Sequence, residues 1–164
     1  VIDARAWTRL KGLVDDAVSE GATLLAGGDR PAGLNAGHYL APTVLTDVTE
    51  TMAVYREETF GPIVSIVPFD TKTDLLRMAN DCEEGGLTAY IFTRNLARAE
   101  HYAARLRYGE IQINGVKYDI NLPHGGIGQS GIGHDCSALA LHDYLVHKRI
   151  TRALDTTTFG GLNP

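Results

Sequence analysis

The sequence predicts an α/β fold organised around parallel strands, and three observations point to it. From Ile63 onward, strand-like runs at residues 63–69, 87–92 and 110–114, the first two largely apolar, alternate with helix-like segments. Strand, helix, strand, helix, strand with short connections is the pattern of right-handed crossovers in a parallel sheet. The first two runs are near-continuously apolar, which fits burial on both faces. The third observation is glycine, at 18 of 164 residues, with seven of the 18 between Gly109 and Gly133. Such a loop has unusual backbone demands. Ligands of open parallel sheets bind outside the carboxyl ends of the strands. Asn114 and the glycine-rich loop after it therefore mark where a site is expected.

The elements follow in chain order. Residues 6–19 place Trp7, Leu10, Leu13, Val14, Ala17 and Val18 at helical spacing, with Asp3 ahead and Gly21 just after, so an amphipathic helix is expected. Residues 23–26 read as a short strand ended by Gly27-Gly28-Asp29. Residues 39–45 read as extended, with Pro42 marking an edge or irregular strand. After the strand at 63–69, Asp70-Thr71-Lys72-Thr73 turns into a helix carrying Leu75, Leu76 and Ala79, which Gly85-Gly86 closes. The strand at 87–92 follows, then Asn95 caps a helix over 96–106, Gly109 ends it, and the strand at 110–114 completes the series. A helical turn at 137–142, an extended stretch at 144–154 and a Thr/Gly-rich tail at 155–164 close the chain.

Composition excludes several functions. One domain is expected from 164 residues. The formal net charge of −5 offers no basic footprint for nucleic acid or an anionic membrane surface. No apolar run approaches the ~20 residues of a membrane span, so neither nucleic acid nor membrane is expected as a partner. Val1 without a preceding Met is read as a start inside a longer product. The two cysteines, Cys82 and Cys136, form no disulfide framework and suit a reducing compartment, read as cytoplasmic.

Among the motifs, Glu57-Glu58-Thr59-Phe60-Gly61-Pro62 lies directly before a strand. By composition alone it is a solvated turn. Functionally, a carboxylate there could accept hydrogen bonds from ribose hydroxyls, while Phe60 could stack on a ring or pack in the core. Residues 126–131 spell G-x-G-x-x-G, but Leu122-Pro123-His124 precedes and Ile132-Gly133-His134 follows, so the dinucleotide-binding context is missing and the match is accidental. His134, Cys136, His142 and His147 fit no standard zinc spacing beyond the His142, His147 pair, and no metal site is expected. A thiol catalyst built on Cys136, His134 and Asp135 lacks an oriented base. Cys82 is expected to be packed and inert, and Tyr144 and Lys148 to be ordinary strand and surface residues.

In order along the chain, these segments resemble the C-terminal part of an NAD(P)-dependent aldehyde dehydrogenase. The resemblance rests on Val14-Asp15-Asp16-Ala17 with Gly27-Gly28, Pro42-Thr43-Val44-Leu45, and Glu57-Glu58-Thr59-Phe60-Gly61-Pro62. It continues through Ala79-Asn80, Ile111-Gln112-Ile113-Asn114, Pro123-His124-Gly125-Gly126 with Gln129-Ser130-Gly131, and Tyr144 with Lys148. It implies an α/β parallel-sheet catalytic lobe, incomplete at its N-terminal side. Residues 1–143 would be a partial catalytic domain, 144–154 an oligomerisation strand and 155–164 a tail. It implies that Glu58 binds the nicotinamide ribose of NAD or NADP and that Phe60 contacts the nicotinamide end. Asn114, the loop at 115–122 and His124 would line the aldehyde entrance. Val146 to Leu154 would pair with a neighbouring subunit in a homo-oligomer.

The resemblance also implies what lies elsewhere. The family's cysteine nucleophile, general-base glutamate and oxyanion asparagine fall N-terminal to the matched region, so no catalytic residue is expected in these 164 residues, and the chain alone is expected to be inactive. In the complete enzyme, thiolate attack on the aldehyde, hydride transfer and thioester hydrolysis would give the acid. The alternative is a non-catalytic partner that keeps the fold and pairs with full-length subunits. His124 stands where the family usually has Phe, Gly128 where it has Lys, and His134-Asp135 where it has Arg-Glu. The first of these would put a polar group near the substrate entrance.

Overall fold

A computed structural model describes residues 1–70, 73–81 and 84–152. Helix α1, Ala4–Ser19, begins where Asp3 accepts a hydrogen bond from the amide of Ala6 at 2.7 Å. This is the expected N-cap, which satisfies one of the donors a helix start leaves free. Leu10, Leu13, Val14 and Ala17, spaced three and four apart, form the buried face of α1. Strand β1, Thr23–Ala26, pairs antiparallel with β2, Thr43–Thr46, and β2 pairs parallel with β3, Ile63–Ser65, in the order β1-β2-β3. A short helix that the periodicity did not reveal, α2 at Ala53–Arg56, lies between β2 and β3.

The second half contains α3, Leu75–Asn80, β4, Thr88–Ile91, α4, Leu96–Ala103, and β5, Glu110–Ile113. Asp74 and Asn95 cap α3 and α4 through the amides of Arg77 and Arg98. β4 and β5 run parallel, Thr88 facing Glu110 and Ile91 facing Ile113. Single 3-10 segments at Gly128–Ser130 and Ala138–Tyr144 complete the described elements.

The crossover from β4 through α4 to β5 is the expected unit, but three expectations change. Among the described residues the strands form two small sheets, one with an antiparallel edge, where one parallel sheet was expected. The strand expected over 63–69 ends at Ser65, and burial on both faces is absent, because Val64 is 58% and Tyr90 51% exposed. The physical reason is that the core lies in the first half. Leu10, Val14, Leu45, Val48, Met52, Val54 and Ile63 pack there between α1 and the first sheet. Outside that cluster only Met78 and Ala99 are buried apolar side chains among the described residues. The polar residue in the first core is Thr43, whose hydroxyl accepts from the amide of Gly28 at 2.9 Å and donates to the carbonyl of Ala41 at 2.8 Å.

The stretch expected to be extended from 144 onward has Tyr144 in the last 3-10 segment, and residues 146–152 lie outside any helix or strand, with Val146 95% and Ile150 84% exposed. Cys82 and the tail at 155–164 lie outside the described residues. No described helix is long and apolar enough to cross a membrane.

Candidate functional site

The segment after α2 is held from below by α1. The Arg9 guanidinium donates to the carbonyls of Glu58, at 3.4 Å, and Thr59, at 2.5 Å, and lies 3.9 Å from the Glu57 carboxylate. Next to Arg9 on the helix, Leu10 presses against Gly61 so closely that a Cβ on Gly61 would collide with the leucine side chain. Between these two anchors Phe60 has φ of +49°, a conformation that bulky residues rarely adopt and that persists only where the surroundings impose it. The residue is 82% exposed. Phe60 is therefore not packed in the core formed by the described residues, and its side chain is presented outward.

Glu58 and Phe60 line one cavity of about 580 Å³ together with Glu57, Glu84, Gly86 and Ser130. The backbone amide of Glu58 donates to the Glu84 carboxylate, and the Glu58 carboxylate accepts no hydrogen bond from any described residue. The cavity wall thus offers three carboxylates and one exposed aromatic ring. Such a wall suits a guest with hydroxyl donors and a flat or cationic ring.

The cavity is not at the carboxyl end of the second sheet, where a site was expected. The glycine-rich loop crosses to the amino ends of β4 and β5 instead. The Gly86 carbonyl accepts from the amides of Gly109, at 2.9 Å, and Ile127, at 3.0 Å. A Cβ on Gly109 would strike the Gly125 carbonyl, so this glycine is required by the close approach of two backbones. The reason for the shift is the return path of the chain. Gln112 exchanges hydrogen bonds with both the amide and the carbonyl of Lys117, so residues 117–124 run back along β5 from its carboxyl end to its amino end. Residues 126–131 then form a 3-10 turn over Gly128–Ser130, not a strand followed by a helix.

The two residues expected at the substrate entrance sit at opposite ends of β5. Asn114, at φ of +54°, closes the carboxyl end, its side-chain amide donating to the Thr93 carbonyl and accepting from the Thr93 amide, each at 2.8 Å. His124 lies at the amino end, where Nδ1 is 2.9 Å from the Glu110 carboxylate. Its backbone exchanges hydrogen bonds with Asp135 at 2.8 and 2.7 Å.

The hydrogen bond from His124, then that from Gln112, holds the Glu110 carboxyl below the usual carboxylate range. A carboxylate held low in the fold contributes stability above its ordinary pKa of about 4.3, and that contribution is lost as pH falls through the folded value. The melting temperature is therefore expected to fall more steeply below about pH 4.3 in the wild type than in Glu110→Gln. Parallel melting curves across this range check it, and identical slopes would refute the pairing.

The late histidines and Cys136 are engaged separately. Cys136 Sγ lies 2.7 Å from the Tyr118 hydroxyl, the His134 amide donates to Asp143 at 3.3 Å, and the rings of His142 and His147 stack at 6.2 Å. Among the described residues no three metal-binding side chains converge. The sequence offered no sign of Arg9, Glu84 or Glu110 as parts of a site. Arg9 and Thr59 are 50 residues apart, and no local pattern records a contact across that distance.

The profile of the Aldehyde dehydrogenase family matches residues 1–150, and the chain belongs to that family. It is 33% identical over 161 residues to the chloroplastic betaine aldehyde dehydrogenase of Atriplex hortensis, a match covering 98% of this chain and 32% of that protein. It is 34% identical over 165 residues to the peroxisomal aminoaldehyde dehydrogenase 1 of Pisum sativum, covering 100% and 33% respectively. The crystal structure of a Mycobacterium tuberculosis aldehyde dehydrogenase complexed with NAD+ superposes with a TM-score of 0.82 at 34% identity, over 88% of this chain and 30% of that one. The chain spans about a third of the length of the relatives it matches. The expected fold, a lobe of the aldehyde dehydrogenase catalytic domain, is borne out.

Proposed function

We propose that this chain forms the nicotinamide-side wall and part of the aldehyde entrance of an NAD(P)+-dependent aldehyde dehydrogenase whose cysteine nucleophile lies outside these 164 residues. The observation that supports it is the presentation of Glu58 and Phe60 on one cavity, with Phe60 outward in a backbone conformation that Arg9 and Gly61 impose. The acidic lining favours the hydroxyl-bearing ribose and cationic ring of the oxidised nicotinamide end, whereas phosphates would be repelled. When bound, the nicotinamide supplies the hydride acceptor. The chain's own part is to hold the ribose through Glu58 and to support the ring with Phe60, a positioning contribution to rate.

The domain division at 1–143, 144–154 and 155–164 belongs to the same proposal. The exposure of Val146 and Ile150 supports pairing of the segment from Val146 to Leu154 with a second subunit. The free thiol of Cys136 suits a reducing compartment such as the cytoplasm, although the two plant relatives carry chloroplastic and peroxisomal in their names.

The full-length protein, assayed with aldehydes and either NAD+ or NADP+, is expected to produce reduced nicotinamide; absence of turnover with both cofactors would overturn the proposal. Arg9→Met in that protein is expected to raise the cofactor KM about fivefold, from the loss of roughly 1 kcal/mol of hydrogen bonding to the Glu58-Thr59 backbone. Arg9→Lys, which keeps the charge without the planar fork, should recover part of the loss. Equal KM values in all three proteins would remove Arg9 from the cofactor wall.

A further inference from the structure

A second cavity, of about 420 Å³, lies between β5 and the returning chain, with Glu110, Gln112, Lys117, Tyr118, Asp119 and His124 on its walls. Most of these polar groups already have partners. The Gln112 amide is engaged by Lys117 and Glu110, Tyr118 by Cys136, and Asp119 by Asn121. Glu110 accepts from Gln112 and lies 2.9 Å from His124 Nδ1 and 3.5 Å from the Thr88 hydroxyl. The ring of His124 is fixed by that carboxylate, by an edge contact with Tyr118 at 5.9 Å and by the backbone pairing to Asp135.

An ionised carboxylate only accepts, so a neutral His124 must turn Nδ1–H toward Glu110 and leave the lone pair of Nε2 as an acceptor. When the ring is neutral, the pair thus leaves Nε2 an acceptor on a residue that lines the cavity. The charges agree with this. Glu110 and Asp119 stand against Lys117 alone on these walls, and Asp119 is held below the usual carboxylate range chiefly by Asn121, with Lys117 contributing. A guest carboxylate meets excess negative charge here, whereas a hydroxyl or ammonium does not.

We propose that His124, oriented by Glu110, selects aldehydes that carry a hydrogen-bond donor, a hydroxyl or an ammonium group, over alkyl aldehydes and aldehydes ending in a carboxylate. This rests on the proposed aldehyde entrance at residues 115–122. Its specificity residue is a histidine at the amino end of β5, a position where the resemblance leads one to expect phenylalanine.

The test uses the full-length protein with aldehydes of one chain length ending in methyl, hydroxyl, ammonium or carboxylate. The hydroxyl and ammonium compounds are expected to exceed the methyl compound in kcat/KM by about tenfold, the worth of one well-made hydrogen bond, with the carboxylate compound lowest. His124→Phe is expected to bring the donor-to-methyl ratio close to one while the cofactor KM stays within twofold, roughly. His124→Gln, which keeps an acceptor, is expected to retain part of the preference and covers the case in which the phenylalanine variant fails to fold. A wild-type ratio near one, a preference for the methyl or carboxylate compound, or a ratio unchanged in both variants overturns the inference and leaves the dehydrogenase reading standing. Failure to oxidise any of the four with either cofactor overturns that reading, and this inference with it.

Discussion

Glu58→Gln in the full-length protein is expected to lower kcat/KM for the cofactor by about 10–100-fold, with the melting temperature nearly unchanged. A hydrogen bond to a charged acceptor contributes roughly 1.5–3 kcal/mol, and 1.4 kcal/mol is a factor of ten. Glu58 is exposed, and among the described residues its carboxylate supports no other group, so the fold loses little when the charge is removed. The amide of glutamine keeps the shape but offers one neutral acceptor oxygen in place of two charged ones. Slower hydride transfer should accompany weaker cofactor binding, because a nicotinamide held less firmly spends less time in reach of the substrate. Steady-state kinetics with varied cofactor, together with a deuterated aldehyde, separates these effects. Unchanged affinity and rate would remove Glu58 from the site.

Leu10→Ala is expected to destabilise the full-length protein by roughly 3 kcal/mol, through lost burial and the cavity left behind. Leu10 is 0% exposed on the buried face of α1. The effect should not end with stability. Leu10 is the side chain on which Gly61 rests, and Arg9, next to it on the helix, grips the carbonyls of Glu58 and Thr59. A void under Gly61 relaxes one of the two anchors that keep Phe60 at positive φ, so a higher cofactor KM is expected beside the lower denaturant midpoint. Leu24→Ala is the control: Leu24 is 41% exposed, and a surface change of this kind usually stays within about 0.5 kcal/mol. Equal midpoints for the two variants would contradict the placement of the core.

Local chemistry made most individual elements legible. Asp3 and Asn95 cap the helices they were expected to cap, because a short polar side chain at a helix start acts on amides only three residues away. The helical spacing of Leu10, Leu13, Val14 and Ala17 likewise identifies the buried stripe. The apolar run at 63–69 was misleading as to length and burial. A continuous apolar strand implies cover on both faces, and neither sheet among the described residues has it.

The sequence by itself determined helices α1, α3 and α4, the approximate places of the strands, the resemblance to the family, and Glu58 and Phe60 as candidate cofactor contacts. Each of these is carried by side-chain periodicity, by caps or by a contiguous motif. Tertiary structure alone decided that the glycine-rich loop lies at the amino ends of β4 and β5, that Asn114 and His124 stand apart, that Arg9 and Glu84 meet the backbone of Glu58 and Thr59, and that Glu110 meets His124. Those facts depend on where the chain turns back after Asn114 and on contacts between residues 14 to 50 positions apart. Hydrogen bonds across such separations follow from the packing of whole elements, and neighbouring residues in the sequence carry no trace of them.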